Sequence, residues 1–260
     1  HALGRVEDSE PSFRESLAMT EKVFGPDHPE VVSSTGNLAG CCWELEKHAE
    51  ALSLFRRAAE LAARIHPGDH PDRALAVSNL AAFLGAVGRE KEAVPLLRES
   101  LEMRRRLWRG DHPEVAKSLN NLGWCLRNLG RVEEAIPLLS GAVAMSRRIA
   151  SPDFHFWASN LGWVLLGQRG GASRAESLFA EAAAQLEEIR GGAAGLPERD
   201  RGIYFGRLKV FQPYEGLARA RILSGRADEA LRAIERGRAR SLLDLLDRSR
   251  FDPLAEVRRD

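Results

Sequence analysis

The feature that most constrains the fold is a short segment that returns every 42 residues. DHPEV occurs at 27–31 and again at 111–115, and DHPD lies between them at 69–72. The same step separates Asn37, Asn79 and Asn121. A fixed period of this length is typical of arrays in which each unit is one supersecondary element that packs on its neighbours. The sequence therefore predicts a repeat array rather than one globular core.

Within residues 111–150 the pattern predicts a pair of antiparallel helices. Asp111 with Glu114 has the form of a helix capping box, and Pro113 suits a first helical turn. Gly130 is expected to end this helix, and a second helix is expected from about Val132. The apolar face of the first helix shows the helical spacing of large residues, at Val115, Leu119, Leu122 and Leu126.

The period also predicts the organisation of the chain. Residues 1–24 would hold the second helix of a truncated first repeat. Full repeats would follow at 25–66, 67–108 and 109–150, with a shortened one at 151–190. A Gly-rich linker is expected at 191–201, a longer helix pair at 202–248, and a tail leading to a further domain at 249–260. Glu46 stands where later repeats carry glycine, so the first of these turns is expected to be less tight.

These residues resemble the tetratricopeptide repeat. The matching positions are Leu122-Gly123, Leu126, Gly130, Ala135, Leu139 and Ala142. The 42-residue period with its DHP loop resembles the repeats of kinesin light chains and many bacterial proteins, over about residues 3–190. The resemblance implies an all-α fold, a right-handed superhelical solenoid of antiparallel helix pairs about 11 helices long. Its first helices would line a concave face.

The resemblance also implies a place for a ligand. In peptide-binding members of the family, an asparagine one residue before the Leu-Gly pair reaches into the groove. An amide side chain carries both a donor and an acceptor, so it can hold a peptide backbone of any sequence. The matching residues here are Asn37, Asn79, Asn121 and Asn160. In the alternative interpretation, each amide bonds a neighbouring helix or faces water.

A polar and aromatic patch is expected beside the third asparagine. Lys117 and Trp124 flank Asn121 on one helical face, and Arg127 lies on a nearby face. Trp163 takes the position of Trp124 in the next repeat. Trp and Arg often anchor interfaces, so this patch could hold an acidic or aromatic peptide. Alternatively, both tryptophans pack between repeats and expose only their edges.

Other chemical motifs are weak. The Asp-His pairs of successive loops could be metal ligands, but equivalent positions in neighbouring repeats should lie on the order of 16–20 Å apart. Caps and loop hydrogen bonds are therefore expected instead. Cys41 and Cys42, with His48 nearby, could suggest a thiol nucleophile, yet they occupy the apolar face of a helix. The sequence predicts a non-enzymatic chain that has no cofactor and no metal site.

Composition argues against nucleic acid and membranes as partners. The net charge is +1, and the arginines of 236–250 alternate with acidic residues. No apolar run approaches the roughly 20 residues that cross a bilayer, and no signal peptide is visible. Three cysteines are an odd and sparse set, typical of reduced thiols. These features predict a cytoplasmic protein.

The segment AIERGRARSLLDLL at 233–246 resembles the helix that closes the repeat array in CHAT proteins, where a caspase-like protease domain follows. The resemblance implies a protein- or peptide-binding scaffold that acts as the regulatory or sensing arm of such a protease, with the protease in cis beyond Asp260. The alternative is a passive spacer or oligomerisation scaffold that has no peptide ligand. The sequence leaves the oligomeric state open.

Overall fold

The computed structural model describes residues 9–193 and 211–249, and these residues form eleven helices and no strands. The all-α fold class is therefore confirmed. The predicted start of the last helix pair at 202, most of the linker at 191–201 and most of the tail at 249–260 lie outside the described residues. The helices are α1 (Glu10–Phe24), α2 (Pro29–Glu44), α3 (His48–Ile65), α4 (Pro71–Ala86), α5 (Glu90–Leu107), α6 (Pro113–Asn128), α7 (Val132–Arg148), α8 (Phe154–Leu166), α9 (Ala172–Ala193), α10 (Phe211–Leu223) and α11 (Ala227–Ser249).

The chain divides into two compact units, residues 1–145 and residues 146–260. We call them unit 1 and unit 2. In unit 1, each of α2, α4 and α6 pairs with the helix that follows it, and these three first helices also contact one another in order. None of the described helices combines the length and the hydrophobicity needed to cross a bilayer.

The turns inside the repeats of unit 1 share one geometry. Glu46, Gly88 and Gly130 have φ values of 59°, 78° and 75°, in the left-handed region. The next residue donates its N–H to the carbonyl five residues back at 2.8, 2.8 and 2.9 Å, as in a Schellman motif. The turn at Glu46 is thus as tight as the glycine turns, contrary to expectation. Side chains are strained in this region, so Glu46 destabilises its turn by about 1 kcal/mol.

The loops between repeats start the first helices differently from the predicted capping box. The cap is the histidine of each DHP segment, because the Nδ1 atoms of His28, His70 and His112 accept the N–H two residues later at 3.2 Å. The proline occupies the first turn, as predicted. The aspartates tie the loop to the second helix of the same repeat instead. Asp69 pairs with Arg106 at 2.6 Å and Asp27 pairs with Arg64.

Small residues set the approach of α6 to α7. A Cβ atom on Gly123 would lie 2.7 Å from Leu139 Cγ and 3.3 Å from the Ala135 carbonyl. Ala135, Leu139 and Ala142 have no exposed surface. Because any side chain at 123 would push the helices apart, glycine is required there for this packing.

Unit 2 packs α8, α9 and α10 around one ring. Phe179 on α9 has no exposed surface. Cβ atoms added to Gly162 on α8 and Gly216 on α10 would lie 2.8–3.0 Å and 2.3–2.5 Å from atoms of this ring. Two glycines from different helices therefore admit one phenylalanine between them.

Candidate functional site

A furrow runs between α2 and α4 in unit 1. It consists of two adjoining cavities of about 400 and 170 Å³ that share Gly36, Phe55 and Asn79. Phe55 of α3, which is 4% exposed, forms part of its floor. The α2 wall includes Val32, Ser33, Gly36, Asn37 and Gly40. The α4 wall includes Asp72, Leu75, Ala76, Asn79 and Ala82.

The furrow brings together two of the predicted asparagines. Asn37 is exposed and Asn79 is half-buried, and both line the smaller cavity. They lie on opposite walls, one from each of two successive first helices. Amides placed in this way can bond the backbone of a chain that lies between them. Leu75 beside them is 44% exposed, which leaves an apolar contact available.

Two glycines keep the α2 wall open. Added Cβ atoms on Gly36 and Gly40 would meet nothing within 4 Å. Glycine in the interior of a helix destabilises it by about 1 kcal/mol relative to alanine. Gly123 and Gly162 have a packing reason for that loss, since a Cβ atom there would clash. Gly36 and Gly40 have no such packing reason among the described residues. Their effect is to widen the furrow and to expose helix backbone.

The predicted patch on α6 is also present in unit 1. Lys117 and Arg127 are exposed and Trp124 is half-buried. The Arg127 guanidinium lies 4.8 Å from the centroid of the Trp124 ring, within the range of a cation–π contact. Asn121 is half-buried and accepts a hydrogen bond from the Asn120 amide at 3.3 Å. Since α6 contacts α4, this patch lies on the next first helix beyond the furrow.

A buried cation lies at the packing of α5 with α4 and α6. Arg104 is 1% exposed, and it pairs with Glu114 at 2.9 Å and donates to the Ser118 hydroxyl at 2.6 Å. A longer bond of 3.4 Å reaches Ser78 on α4. Burial lowers the pKa of Arg104, and Glu114 opposes that effect. This residue was not predicted from the sequence, because one arginine in an RRR run looks like a solvated charge.

The predicted residues of unit 2 are more covered. Asn160 is 6% exposed, so its side chain offers little surface to a ligand. Trp163 is half-buried and packs edge-on against Phe179, with 5.3 Å between ring centroids. The Arg219 guanidinium lies 6.0 Å from the Trp163 ring. These contacts agree with the alternative interpretation, in which Trp163 packs against neighbouring helices.

Unit 2 contains a larger cavity that was not predicted from the sequence. Its volume is about 1120 Å³, and α9, α10 and α11 line it. Arg221 and Arg226 border it, and both pair with Glu176. The residues that line this cavity come from the part of the chain in which the 42-residue period is lost, so no repeated sequence position indicated the cavity.

The cysteines have the environment of core residues. Cys41, Cys42 and Cys125 are buried, and none of these three described residues is in a disulfide. Burial raises the pKa of Cys42 and of Cys125 to about 11. A nucleophilic cysteine needs a lowered pKa, so these thiols are poorly suited to catalysis.

Comparison with known proteins identifies the family. The sequence profile of the Tetratricopeptide repeat matches residues 1–64 and 72–148, which is more than half of the chain. The chain belongs to the tetratricopeptide repeat family. Proteins of this family are generally non-enzymatic scaffolds that commonly mediate protein–protein interactions, and no catalytic domain is evident in the part of the chain that the structure describes.

Solved structures share the fold. A single-residue variant of a protein from Podosopora anserina, described as a kinesin light chain with nearly identical TPR-like repeats, is 24% identical with a TM-score of 0.66, and the match covers 86% of this chain and 99% of that one. BtubC (BKLC) from P. vanneervenii is 19% identical with a TM-score of 0.72, covering 94% and 93%. A Rap protein complexed with Competence and Sporulation Factor is 15% identical with a TM-score of 0.61, covering 94% and 72%. No curated protein sequence matches the chain significantly.

Proposed function

We propose that unit 1 binds an extended segment of a partner protein in the furrow between α2 and α4. The observation that carries this proposal is the pairing of Asn37 and Asn79 across a furrow that Gly36 and Gly40 hold open. These glycines weaken α2 without a packing gain, as expected where a ligand backbone approaches closely. The Rap protein, which is complexed with a factor, shares the fold, and this supports a ligand-binding role for such helix stacks.

The furrow suggests the chemistry of its ligand. Leu75 and Phe55 provide apolar surface for one buried side chain. Glu44 and Asp72 lie at its edges, so a basic or neutral residue suits this part of the ligand better than an acidic one. Further along, Lys117, Trp124 and Arg127 would receive an acidic or aromatic residue. We expect a segment whose charge changes sign along its length.

A peptide selection tests the furrow. Peptides selected from a random library on the whole chain are measured by fluorescence polarisation against variants of the chain. Gly36→Leu fills the furrow, and Asn79→Ala together with Asn121→Ala removes two amides. Each change is expected to weaken binding at least about tenfold. The leucine occupies space that the ligand needs, and each amide bond to a ligand contributes about 1–1.5 kcal/mol.

The matched control is Gln168→Ala, which removes an amide from a partly exposed residue of unit 2, outside the furrow and the α6 patch. Peptide affinity should not change in this variant. Unchanged affinity in Gly36→Leu and in the double asparagine variant, with helix content preserved, would place the ligand elsewhere.

We further propose that the chain is the regulatory arm of a CHAT-type protease. The support is the resemblance of residues 233–246, which lie on α11. Reading the coding sequence beyond Asp260 tests this proposal. A histidine and a later cysteine in caspase-like settings are expected, and an unrelated domain would contradict it.

The second candidate is a scaffold that self-associates. It is favoured by an apolar strip on α1, where Met19, Val23 and Phe24 are 59%, 64% and 54% exposed. Light scattering distinguishes the two candidates. The furrow is supported if the chain is strictly monomeric and its melting temperature rises when a selected peptide is added. The scaffold is supported if the chain forms a concentration-dependent oligomer that dissociates in the Met19→Lys variant.

A further inference from the structure

One loop of unit 1 departs from its siblings in a way that changes its chemistry. In each loop a ring four residues before the cap histidine stacks on it. The centroid distances are 4.5 Å for Phe24–His28, 3.5 Å for His66–His70 and 4.2 Å for Trp108–His112, with interplanar angles of 17°, 6° and 3°. Only the middle of these three loops uses a second histidine. It therefore has two imidazoles where the others have one.

The same loop has a carboxylate within reach of both rings. Asp72 Oδ2 lies 3.9 Å from His66 Nε2 and 3.6 Å from His70 Nδ1. One ligand atom from each of the three residues lies within 4.8 Å of the others. The first and third loops have Glu30 and Glu114 at the position of Asp72.

His66 has a ring nitrogen that lacks a protein partner. Its Nε2 atom is buried and makes no hydrogen bond. A buried polar atom that lacks a hydrogen bond destabilises a fold, so such atoms usually have a ligand or a water. The Phe24 and Trp108 loops have no equivalent atom, because neither a phenyl ring nor an indole offers a nitrogen lone pair.

Neighbouring cations are already paired. Arg73 donates to the Pro67 carbonyl at 3.0 Å and to Glu99 at 2.9 Å. Arg106 is held by both carboxylate oxygens of Asp69, at 2.6 and 2.8 Å. The Asp72 carboxylate is 50% exposed and has no strong cationic partner among the described ion pairs. A cation at this place would contact the Asp72 carboxylate and the imidazole nitrogens of His66 and His70.

We propose that His66, His70 and Asp72 form a site for a divalent transition metal of the zinc class. Two imidazoles and a carboxylate are donors suited to zinc, nickel and copper rather than to magnesium or calcium. Ligand atoms of a tetrahedral zinc stand about 3.3 Å apart, given bonds of about 2.0 Å. The two distances to the Asp72 carboxylate, 3.9 and 3.6 Å, need to shorten by about half an ångström. Because an imidazole ligates through a lone pair in its ring plane and the two rings are stacked nearly parallel, one ring must also rotate out of the stack to reach a common ion.

Binding would change the loop in a defined way. The Nδ1 atom of His70 accepts the Asp72 N–H in the structure. If a metal binds this Nδ1 atom, that hydrogen bond is lost, and with it the side-chain cap of α4. The sites left open by three protein ligands would be filled by water. Since imidazole must be neutral to ligate, binding weakens in acid. Asp72 also borders the furrow, so an occupied site would alter the charge at that edge.

Calorimetric titration of the whole chain with zinc chloride alone tests the proposal. One saturable equivalent is expected for the parent chain. His66→Phe and His66→Trp install the rings of the first and third loops, so they should keep the stack and the fold while abolishing this equivalent. Magnesium chloride should give no binding. The measurement contains no peptide, so its outcome is independent of the furrow.

The matched control is His112→Asn, which alters the cap histidine of the third loop and should leave the zinc equivalent intact. In ¹⁵N spectra, the imidazole nitrogens of His66 and His70 should shift together on zinc addition, and those of His112 should not. Equal zinc binding by the parent and both His66 variants, or no saturable binding by the parent, would overturn the proposal.

Discussion

The repeat junctions of the two units are held by different contacts. In unit 1, the DHP loop combines a histidine cap, a stacked ring and an aspartate tied to an arginine on the second helix of the same repeat. In unit 2, residues 150–152 read Ala-Ser-Pro, so the aspartate and histidine are absent. The Oγ atom of Ser151 accepts the Asp153 N–H at 3.2 Å, but the cap residue of α8 is Asp153 itself, and it makes no side-chain cap bond. The remaining anchoring is supplied by one residue on α9.

That residue is Gln185. Its amide donates to the Ser151 carbonyl at 2.8 Å and accepts the His155 N–H at 2.7 Å. The unit 1 loops depend on several exposed contacts, each of small energy, whereas the unit 2 loop depends on two bonds from one half-buried side chain. The same junction can thus be held either by distributed surface contacts or by one bridging residue.

The largest expected effect breaks the packing of unit 2. Gly216→Ala places a methyl group 2.3–2.5 Å from the Phe179 ring, which Gly162 confines on α8. Overpacking of this kind is expected to lower the free energy of unfolding of unit 2 by about 2–3 kcal/mol. Urea denaturation measures it. Adding Phe179→Leu should recover part of the loss, and Gly36→Ala, in the open furrow, should stabilise unit 1 instead.

A smaller effect tests the bridging glutamine. Gln185→Ala leaves the Ser151 carbonyl and the His155 N–H without their partner, and it is expected to lower the free energy of unfolding by about 2 kcal/mol. Gln185→Glu can still accept from His155 but sets a carboxylate oxygen against the Ser151 carbonyl, so it should be at least as destabilising as the alanine variant. If the alanine variant were as stable as the parent, the loop of unit 2 would be held by contacts other than this side chain.

A gain in stability is expected at the strained turn of unit 1. Glu46→Gly keeps the left-handed φ of 59° without a side chain, so we expect stabilisation by about 1 kcal/mol. The reverse change at the equivalent turn, Gly88→Glu, should lose a similar amount. Thermal melting of both variants measures the pair. Equal melting temperatures would show that the glutamate has no strain to release.

The smallest effect is a pH dependence confined to unit 2. Burial lowers the pKa of His155 below its ordinary value, against the opposing hydrogen bond that its Nδ1–H donates to Pro152 at 2.9 Å. The unfolded chain then binds more protons than the folded chain as the pH falls below about 6.5. Stability is therefore full above that pH and declines below it. His155→Gln should remove this part of the decline, and identical slopes between pH 7.5 and 5.5 would contradict the assignment.

Local features of the fold could be predicted from the sequence. The helix pairs, the proline at the first turn and the left-handed residue at each turn follow from patterns within about ten residues, because backbone geometry acts over that range. The looser turn at Glu46 was predicted incorrectly, because the requirement for a left-handed residue proved stronger than the preference for glycine. The Asp111 cap was also wrong, since the neighbouring His112 can present Nδ1 to the same N–H.

The tertiary structure decided which of these side chains are accessible. Asn37 and Asn160 occupy the same place in the repeat pattern, yet one is exposed and the other is 6% exposed. Arg104 is buried because Ser118 and Glu114, from a neighbouring helix, surround it. The period, the helices and their turns were determined by the sequence itself, through local backbone geometry. Burial and the open furrow depend on helices packed against each other, whose contacts no short pattern encodes.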